Sequence, residues 1–224
     1  GKRIVLATGS RPRTYTVKGI EHVHVLTNET IFEIEHLPEK LLIVGGGPIS
    51  IEIGQAFAYL GSKVAIVVKD KRILPREDES IALVLQKRME QEGVQFYFES
   101  VIEEIQSKTQ AYIKTQNGNV THEFDQFFVA IGRELNSEGL DLEKAGIRQH
   151  DKKNIIVNKY LETTQKSVLL CGDIVGQHQF THAAELHAAV IIRNFFVPNW
   201  LPFLKKKLNT DHLAWVTYTN PEIA

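Results

Sequence analysis

With 224 residues and 43% hydrophobic content, the chain is long enough to bury one core, or one core with flanking pieces. Its 26 basic and 27 acidic residues nearly cancel, which gives no support to a nucleic-acid partner or an anionic membrane surface. One cysteine excludes an internal disulfide and a cysteine-rich zinc site; with no secretory signal and no apolar run near the ~18 residues of a membrane span, the expectation is a soluble cytoplasmic protein.

The first segment, Arg3 to Pro12, reads as a buried strand that leaves into a loop at Gly9 and Pro12. A domain seldom opens on a bare buried strand, so a preceding segment is expected. Lys40-Leu41-Leu42-Ile43-Val44 is a short apolar run of the kind buried on both faces of a parallel sheet. It stops at Gly45-Gly46-Gly47, and Pro48 suits the first turn of a helix. Ile49, Ile51, Ile53, Ala56, Phe57 and Leu60 then recur at helical spacing until Gly61. Val64 to Val68 is the next strand, completing a βαβ unit. A second amphipathic helix is predicted from Asp78 to Gly93 and a third strand from Val94 to Phe98.

Short strands are predicted at Ile102 to Ile105, Ala111 to Thr115 and Asn119 to Phe124, with Gln116-Asn117-Gly118 as a hairpin turn. Phe127 to Ile131 is another buried strand, closing at Gly132-Arg133. Further strands are expected at Ile155 to Val157 and from Val168 to the Gly172-Asp173 turn, and a helix from Thr181 to Phe196. Leu201 to Leu208, with Lys205, Lys206 and Lys207, reads as a loop or short helix.

Gly45-Gly46-Gly47-Pro48-Ile49-Ser50 matches the dinucleotide pattern G-x-G-x-x-G except at its last position. The first glycine permits a tight turn, the second lets backbone approach a pyrophosphate, and the third lets helix and strand pack closely. Ser50 is small enough to keep most of that packing. The helix start then offers unpaired N–H groups and partial positive charge to phosphates. A purely structural turn competes with this reading, but the placement between a buried strand and an amphipathic helix favours dinucleotide binding. At the end of the second strand Val68 cannot accept a bond from the ribose of NAD, and Asp70 sits later than expected. Lys69, Lys71 and Arg72 can neutralise a 2′-phosphate, which favours NADP(H) over NAD(H); a solvated basic loop is the rival reading.

The sequence resembles the pyridine nucleotide–disulfide oxidoreductases, the flavoprotein family of mercuric reductase and dihydrolipoamide dehydrogenase. Five segments carry the resemblance: Ala7-Thr8-Gly9-Ser10-Arg11-Pro12, the glycine turn with trailing Glu52, Ala130-Ile131-Gly132-Arg133, Leu170-Cys171-Gly172-Asp173, and Tyr218 to Ala224. Residues 176–185 most resemble mercuric-reductase-like members. The resemblance implies an α/β fold: a Rossmann-like NAD(P)-binding domain, with parallel sheet and β-meander, inserted in a partial FAD-binding domain. It implies an FAD-domain segment at 1–36, the NAD(P) domain at 37–154, a second FAD segment at 155–197, and a linker with the start of a dimerisation domain at 198–224.

It further implies hydride transfer from NAD(P)H to FAD and on to a disulfide or metal-ion acceptor. Glu52 would lie near nicotinamide and flavin, Ala7, Thr8, Gly9, Gly132 and Gly172 would line the cofactors, and Asp173 would accept from a ribityl hydroxyl. The helix starting near Thr181 would point its N–H groups at the flavin's pyrimidine edge. An exposed helix charge competes for Glu52, and a turn residue for Asp173. The family's first glycine motif, redox cysteine pair and catalytic His–Glu pair have no counterpart here, and Leu135 replaces a common proline. Cys171 is lone and reads as a small buried thiol. His178 and His182, four apart, lack companions for a metal site, and His182 reads as a flavin contact or a capping histidine. The expectation is a central fragment, inactive alone, of a homodimeric flavoprotein closest to mercuric reductase. A dihydrolipoamide dehydrogenase is the alternative, and a non-catalytic dinucleotide-binding module is the alternative of another class.

Overall fold

The structure is a computed structural model that describes residues 2–150, 154–198 and 200–224; position 1, residues 151–153 near the expected end of the nucleotide domain, and position 199 in the expected linker lie outside the described residues. The chain opens with β1 (Ile4–Leu6) and β2 (Ser10–Pro12), followed by β3 (Val25–Leu26), β4 (Lys40–Val44) and helix α1 (Pro48–Tyr59). Next come β5 (Lys63–Val67), α2 (Glu79–Gln91) and β6 (Gln95–Tyr97). Short strands follow: β7 (Val101–Ser107), β8 (Gln110–Thr115), β9 (Gly118–Glu123), β10 (Gln126–Val129) and β11 (Arg133–Leu135). The last regular elements are β12 (Val168–Leu170) and α3 (Thr181–Phe195).

The chain divides into two compact units, one of residues up to Arg11 with Arg133–Trp215, the other of Pro12–Gly132 with Val216–Ala224. These limits differ from the bounds at 36/37 and 154/155 that the resemblance implies. Strand pairing accounts for the placement of the β3 stretch: β3 runs parallel to β10, with Val25 opposite Phe127, and so belongs to the five-stranded sheet of the second unit.

In the second unit the described strands form a sheet in the order β3-β10-β4-β5-β6, and every neighbouring pair is parallel. Successive side chains along a strand face opposite sides, and both sides here are covered. Leu41, Ile43, Val64, Ile66 and Phe128 pack with Ile51, Phe57, Leu85 and Met89 of the two helices. Leu42, Val44, Ala65, Val67 and Phe127 pack with Ile102, Ile105, Ala111 and Ile113 of the antiparallel β7-β8-β9 meander. This two-sided burial is why β4 and β5 read as unbroken apolar runs. Pro48 opens α1, and Gly61 follows it with a left-handed φ of 103°. Asp78 caps α2 by accepting from the Ser80 N–H at 2.8 Å.

The helices α1 and α2 are also joined by a polar clamp. Glu92, at the C-terminal end of α2, accepts from Gln55 at 2.9 Å and from the Tyr59 hydroxyl at 2.7 Å, and pairs with Arg88. A helix C-terminus is an unfavourable place for a carboxylate. Burial raises the Glu92 pKa, but the hydrogen bonds from Tyr59, Gln55 and Arg88 outweigh it and hold the carboxyl below its ordinary value.

In the first unit β1 pairs in parallel with β12, Ile4 opposite Val168 and Leu6 opposite Leu170, and β2 pairs with β11. Three expectations change. The segment after Gly9 was expected as loop and forms β2, because β11 supplies a partner. The expected strand at Ile155 to Val157 makes only isolated bridges, Gln149 to Ile155 and Val157 to Thr163. The opening strand is not buried: Ile4 is 52% and Val5 40% exposed. Helix α3 turns Ala183, His187, Val190, Ile191 and Asn194 inward. Asn194 exchanges two hydrogen bonds with the backbone of Lys206, and Lys205 pairs with Glu162 at 2.6 Å, so the lysine run is anchored. No helix among the described residues is long and apolar enough to cross a membrane.

Glu92→Gln is expected to destabilise the chain by about 1–3 kcal/mol at neutral pH, read by urea denaturation. Because the folded carboxyl titrates below its unfolded value, the stabilisation is complete above roughly pH 5 and is lost as pH falls through the folded pKa. The gap between wild type and variant should therefore narrow in acid; a gap that is absent at neutral pH refutes the clamp.

Candidate functional site

The glycine bend between β4 and α1 is built so that one side is shut and the other open. Gly45 has φ 132°, and a Cβ there would lie 2.3 Å from the Ala130 carbonyl oxygen. A Cβ on Gly46 would lie 2.7 Å from Val68 Cγ1. Gly47 differs: its Cβ would meet nothing within 4 Å, and its φ of −86° suits any residue. Gly45, Gly46, Gly47 and Ile49 are half-buried and Pro48 is exposed, so solvent reaches the bend. Gly47 precedes the first helical residue, Pro48, where backbone N–H groups lack intrahelical acceptors. Among the described residues no acceptor takes the Gly47 N–H. The residues therefore fit a diphosphate: open space beside Gly47, donors and a positive helix end in one place.

Ser50 is fully buried and donates to the Ala130 carbonyl at 3.3 Å. The close helix–sheet packing expected there is shared with Gly54, one turn on, where a Cβ would lie 2.8 Å from Ile66 Cδ1. The signal for Gly54 was available as a small residue four positions after Ser50 on the same helix face. Gly132, two residues past Ala130, is exposed with φ 107°, and its carbonyl accepts from the Arg13 N–H at 3.0 Å. The Glu52 carboxylate accepts from the Tyr218 N–H at 2.8 Å, and Gln55 exchanges two bonds with the Asn220 backbone. Thus α1, whose start forms the bend, also grips the Tyr218 to Asn220 stretch.

After β5, Lys69, Asp70 and Lys71 are exposed. Arg72 does not join them. Its guanidinium donates to the carbonyls of Ile73, Leu74, Pro75 and Glu77 at 2.8–3.3 Å. The expectation groups Arg72 with the two lysines as a phosphate ligand; here its fork is turned onto its own loop.

In the first unit the Ala7-Thr8-Gly9, Arg133 and Gly172-Asp173 segments come together. Asp173 accepts from the Ser10 hydroxyl at 2.5 Å and lies 3.8 Å from the Arg133 guanidinium, which itself donates to the Ser10 hydroxyl and carbonyl. Thr8 and Asn136 exchange two side chain–backbone bonds of 2.8 Å, and the Asn136 N–H donates to the Gly9 carbonyl at 3.0 Å. Ala7 and Thr8 are exposed; Gly9, with φ 71°, has open space where a Cβ would sit. Gly172, with φ 77°, donates its N–H to Nδ1 of buried His187 at 3.2 Å. Burial, aided by His178, holds the His187 pKa below the ordinary histidine value, which suits a ring nitrogen acting as acceptor. Asn136 and His187 were missed in sequence, and Ser10, inside the Ala7 to Pro12 segment, was given no role. Only His187 left a signal, a polar residue on the apolar face of a helix.

Cys171 is half-buried rather than buried, with its sulfur 3.7 Å from the Ala184 carbonyl and its pKa raised by burial. His178 lies against Trp215, and His182 stacks on Phe180 at 5.3 Å. Among the described residues no three His, Cys, Asp or Glu side chains gather as metal ligands.

A family model described as pyridine nucleotide-disulphide oxidoreductase matches residues 1–188. A mercuric reductase of Lysinibacillus sphaericus is 28% identical over all of this chain, which spans 40% of that relative. A dihydrolipoyl dehydrogenase of Bacillus subtilis (strain 168) is 32% identical over 99% of the chain, which spans 47% of that relative. Among solved structures, the Cu(II) complex of the HOCl-induced flavoprotein disulfide reductase RclA from Escherichia coli superposes with a TM-score of 0.87 at 25% identity. That match covers 99% of this chain and 49% of RclA. The chain thus spans about half the length of the proteins it matches.

Gly45→Ala and Gly47→Ala should separate the two sides of the bend. The former, with a backbone oxygen in the way and a positive φ, is expected to cost at least about 1–3 kcal/mol. The latter should leave stability within ~0.5 kcal/mol. Urea denaturation of both variants decides it, and equal losses would contradict the shut-and-open geometry.

Proposed function

Because the chain belongs to the pyridine nucleotide-disulphide oxidoreductase family, we propose that its glycine bend holds the diphosphate of NAD(P)H within an FAD-dependent oxidoreductase. NAD(P)H and FAD are the cofactors of that family. The observation that carries the reading is the open face at Gly47 directly ahead of α1, opposite the crowded face at Gly45. The Gly47 N–H and the first free N–H groups of α1 bind the diphosphate oxygens. Lys69 and Lys71, exposed beyond β5, supply the charge that favours a 2′-phosphate and hence NADP(H) over NAD(H). Glu52 faces the nicotinamide side of the bend, and Gly132 borders it.

In the first unit, Asp173 accepts from a ribityl hydroxyl of FAD, with Ser10 and Arg133 fixing its carboxylate. Ala7, Thr8, Gly9 and Gly172 line the same ligand, and the start of α3 turns its N–H groups to the flavin's pyrimidine edge, where negative charge grows on reduction. The chemistry supplied by the bound pair is hydride transfer from NAD(P)H to FAD, with electrons passed on to a disulfide or metal-ion acceptor. The chain's one cysteine cannot form a redox pair, so this stretch supplies cofactor binding rather than acceptor chemistry.

The reading favoured for the whole protein is a cytoplasmic, homodimeric mercuric-reductase-like enzyme, in which 1–36 and 155–197 are FAD-domain segments, 37–154 the NAD(P) domain and 198–224 the approach to a dimerisation domain. A dihydrolipoamide dehydrogenase is the second reading, favoured by the 32% identity to the Bacillus subtilis relative.

Calorimetric titration of the chain with NADPH and NADH tests the bend. Binding of both is expected, tighter for NADPH, with Gly47→Ala weakening each by at least about tenfold. Tighter NADH binding would reverse the cofactor preference; no binding of either removes the assignment.

A further inference from the structure

We infer that Arg72 is a positioning residue for the dinucleotide site: it sets the loop that aims the Gly47 N–H, and touches no ligand itself. This rests on the reading of the bend as a diphosphate site. Arg72 donates to four carbonyls of its own loop, those of Ile73, Leu74, Pro75 and Glu77. Within that loop Leu74 adopts φ 46°, a left-handed conformation that a branched side chain rarely takes and that persists only where its surroundings enforce it. Leu74 is also 1% exposed, so its side chain is locked in the core below the loop.

The consequence is transmitted through one hydrogen bond. The Leu74 N–H donates to the Gly46 carbonyl at 2.7 Å. Gly46 C=O and Gly47 N–H belong to one planar peptide, in which a trans bond points the two groups in opposite directions. A carbonyl held toward Leu74 therefore drives the Gly47 N–H away from Leu74. The chain is Arg72 fork, loop carbonyls, Leu74 N–H, Gly46 carbonyl, Gly47 N–H. Val68 lies close beside Gly46, with Cγ1 2.7 Å from where a Cβ would sit, so only glycine fits at this point of the relay. Two carbonyls on each terminal guanidinium nitrogen match a planar fork with several donors; a lysine ammonium is a point charge that cannot span them.

A direct 2′-phosphate contact and a positioning role predict different selectivity. NADH and NADPH are titrated into the chain as wild type, Arg72→Met and Arg72→Lys, with amide hydrogen exchange followed at Leu74 and at Ala65 and Ile66 of β5. Both variants should weaken NADH and NADPH by the same factor, about tenfold, leaving the wild-type selectivity ratio unchanged. The Leu74 amide should exchange faster while the β5 amides keep their protection, which separates a loosened loop from general unfolding. A loss confined to NADPH, with Arg72→Lys close to wild type, would overturn the inference in favour of a phosphate contact. Unchanged binding of both cofactors, or unchanged protection at Leu74, would overturn it too. If the wild type binds neither dinucleotide, the reading of the bend fails first and the inference falls with it; if the wild type binds and the variants match it, only the inference falls.

Discussion

Between Gly45 and the end of β10 there is no room for a single methyl group, and the second unit is organised around that approach. The register that sets Val129 opposite Val44 continues one residue on, where the Ala130 N–H donates to the Val44 carbonyl. The Ala130 carbonyl then occupies the space a Gly45 Cβ would need and accepts from Ser50. A parallel strand pair so close to the bend forces the chain to turn outward at once, and α1 leaves with its free N–H groups at the opening. Ser50 and Gly54, on one face of α1, keep the helix against the sheet. Widening any of these contacts would swing the helix start away from the donors it presents.

How much of this was legible follows from what each feature depends on. The strands β4, β5 and β10 and the helices α1 and α2 were readable because two-sided burial writes continuous apolar runs and amphipathic faces into the sequence. The bend was readable because a backbone approach of this kind admits only glycine. What was not readable depended on partners distant in the chain. β2 is a Ser-Arg-Pro segment with no strand character and exists because β11 lies beside it. β3 is two residues long and owes its place to β10. Arg72 looked like the neighbouring lysines because charge is visible in sequence, whereas the carbonyls that turn its side chain are backbone groups with no residue signature.

The first unit shows the same contrast. Segments recognised one by one, Ala7 to Pro12 and those ending at Arg133 and Asp173, converge on Ser10, to which the sequence reading gave no role. Its hydroxyl donates to Asp173 while accepting from Arg133, so it relays a cation to a carboxylate that lies 3.8 Å from the guanidinium. A direct, tight ion pair would consume the carboxylate's accepting capacity. A carboxylate with four acceptor positions that is held by one short hydroxyl bond and a distant guanidinium retains lone pairs for a further donor. That is the condition a residue must meet if it is to receive a hydroxyl from a bound ligand without giving up its orientation.

Exposure at the opening strand points the same way. Parallel strands are ordinarily covered on both faces, yet β1 leaves Ile4 and Val5 substantially open while β12, its partner, is buried along its length. The two strands are hydrogen-bonded in register, so the exposure of Ile4 and Val5 does not reflect a poorly formed pair. Apolar area of this kind on a paired strand favours further packing. The second unit, by contrast, covers both faces of its own sheet with helices and meander. The unit that carries the glycine bend thus covers both faces of its sheet, whereas the unit that carries Asp173 leaves apolar side chains of β1 open to solvent.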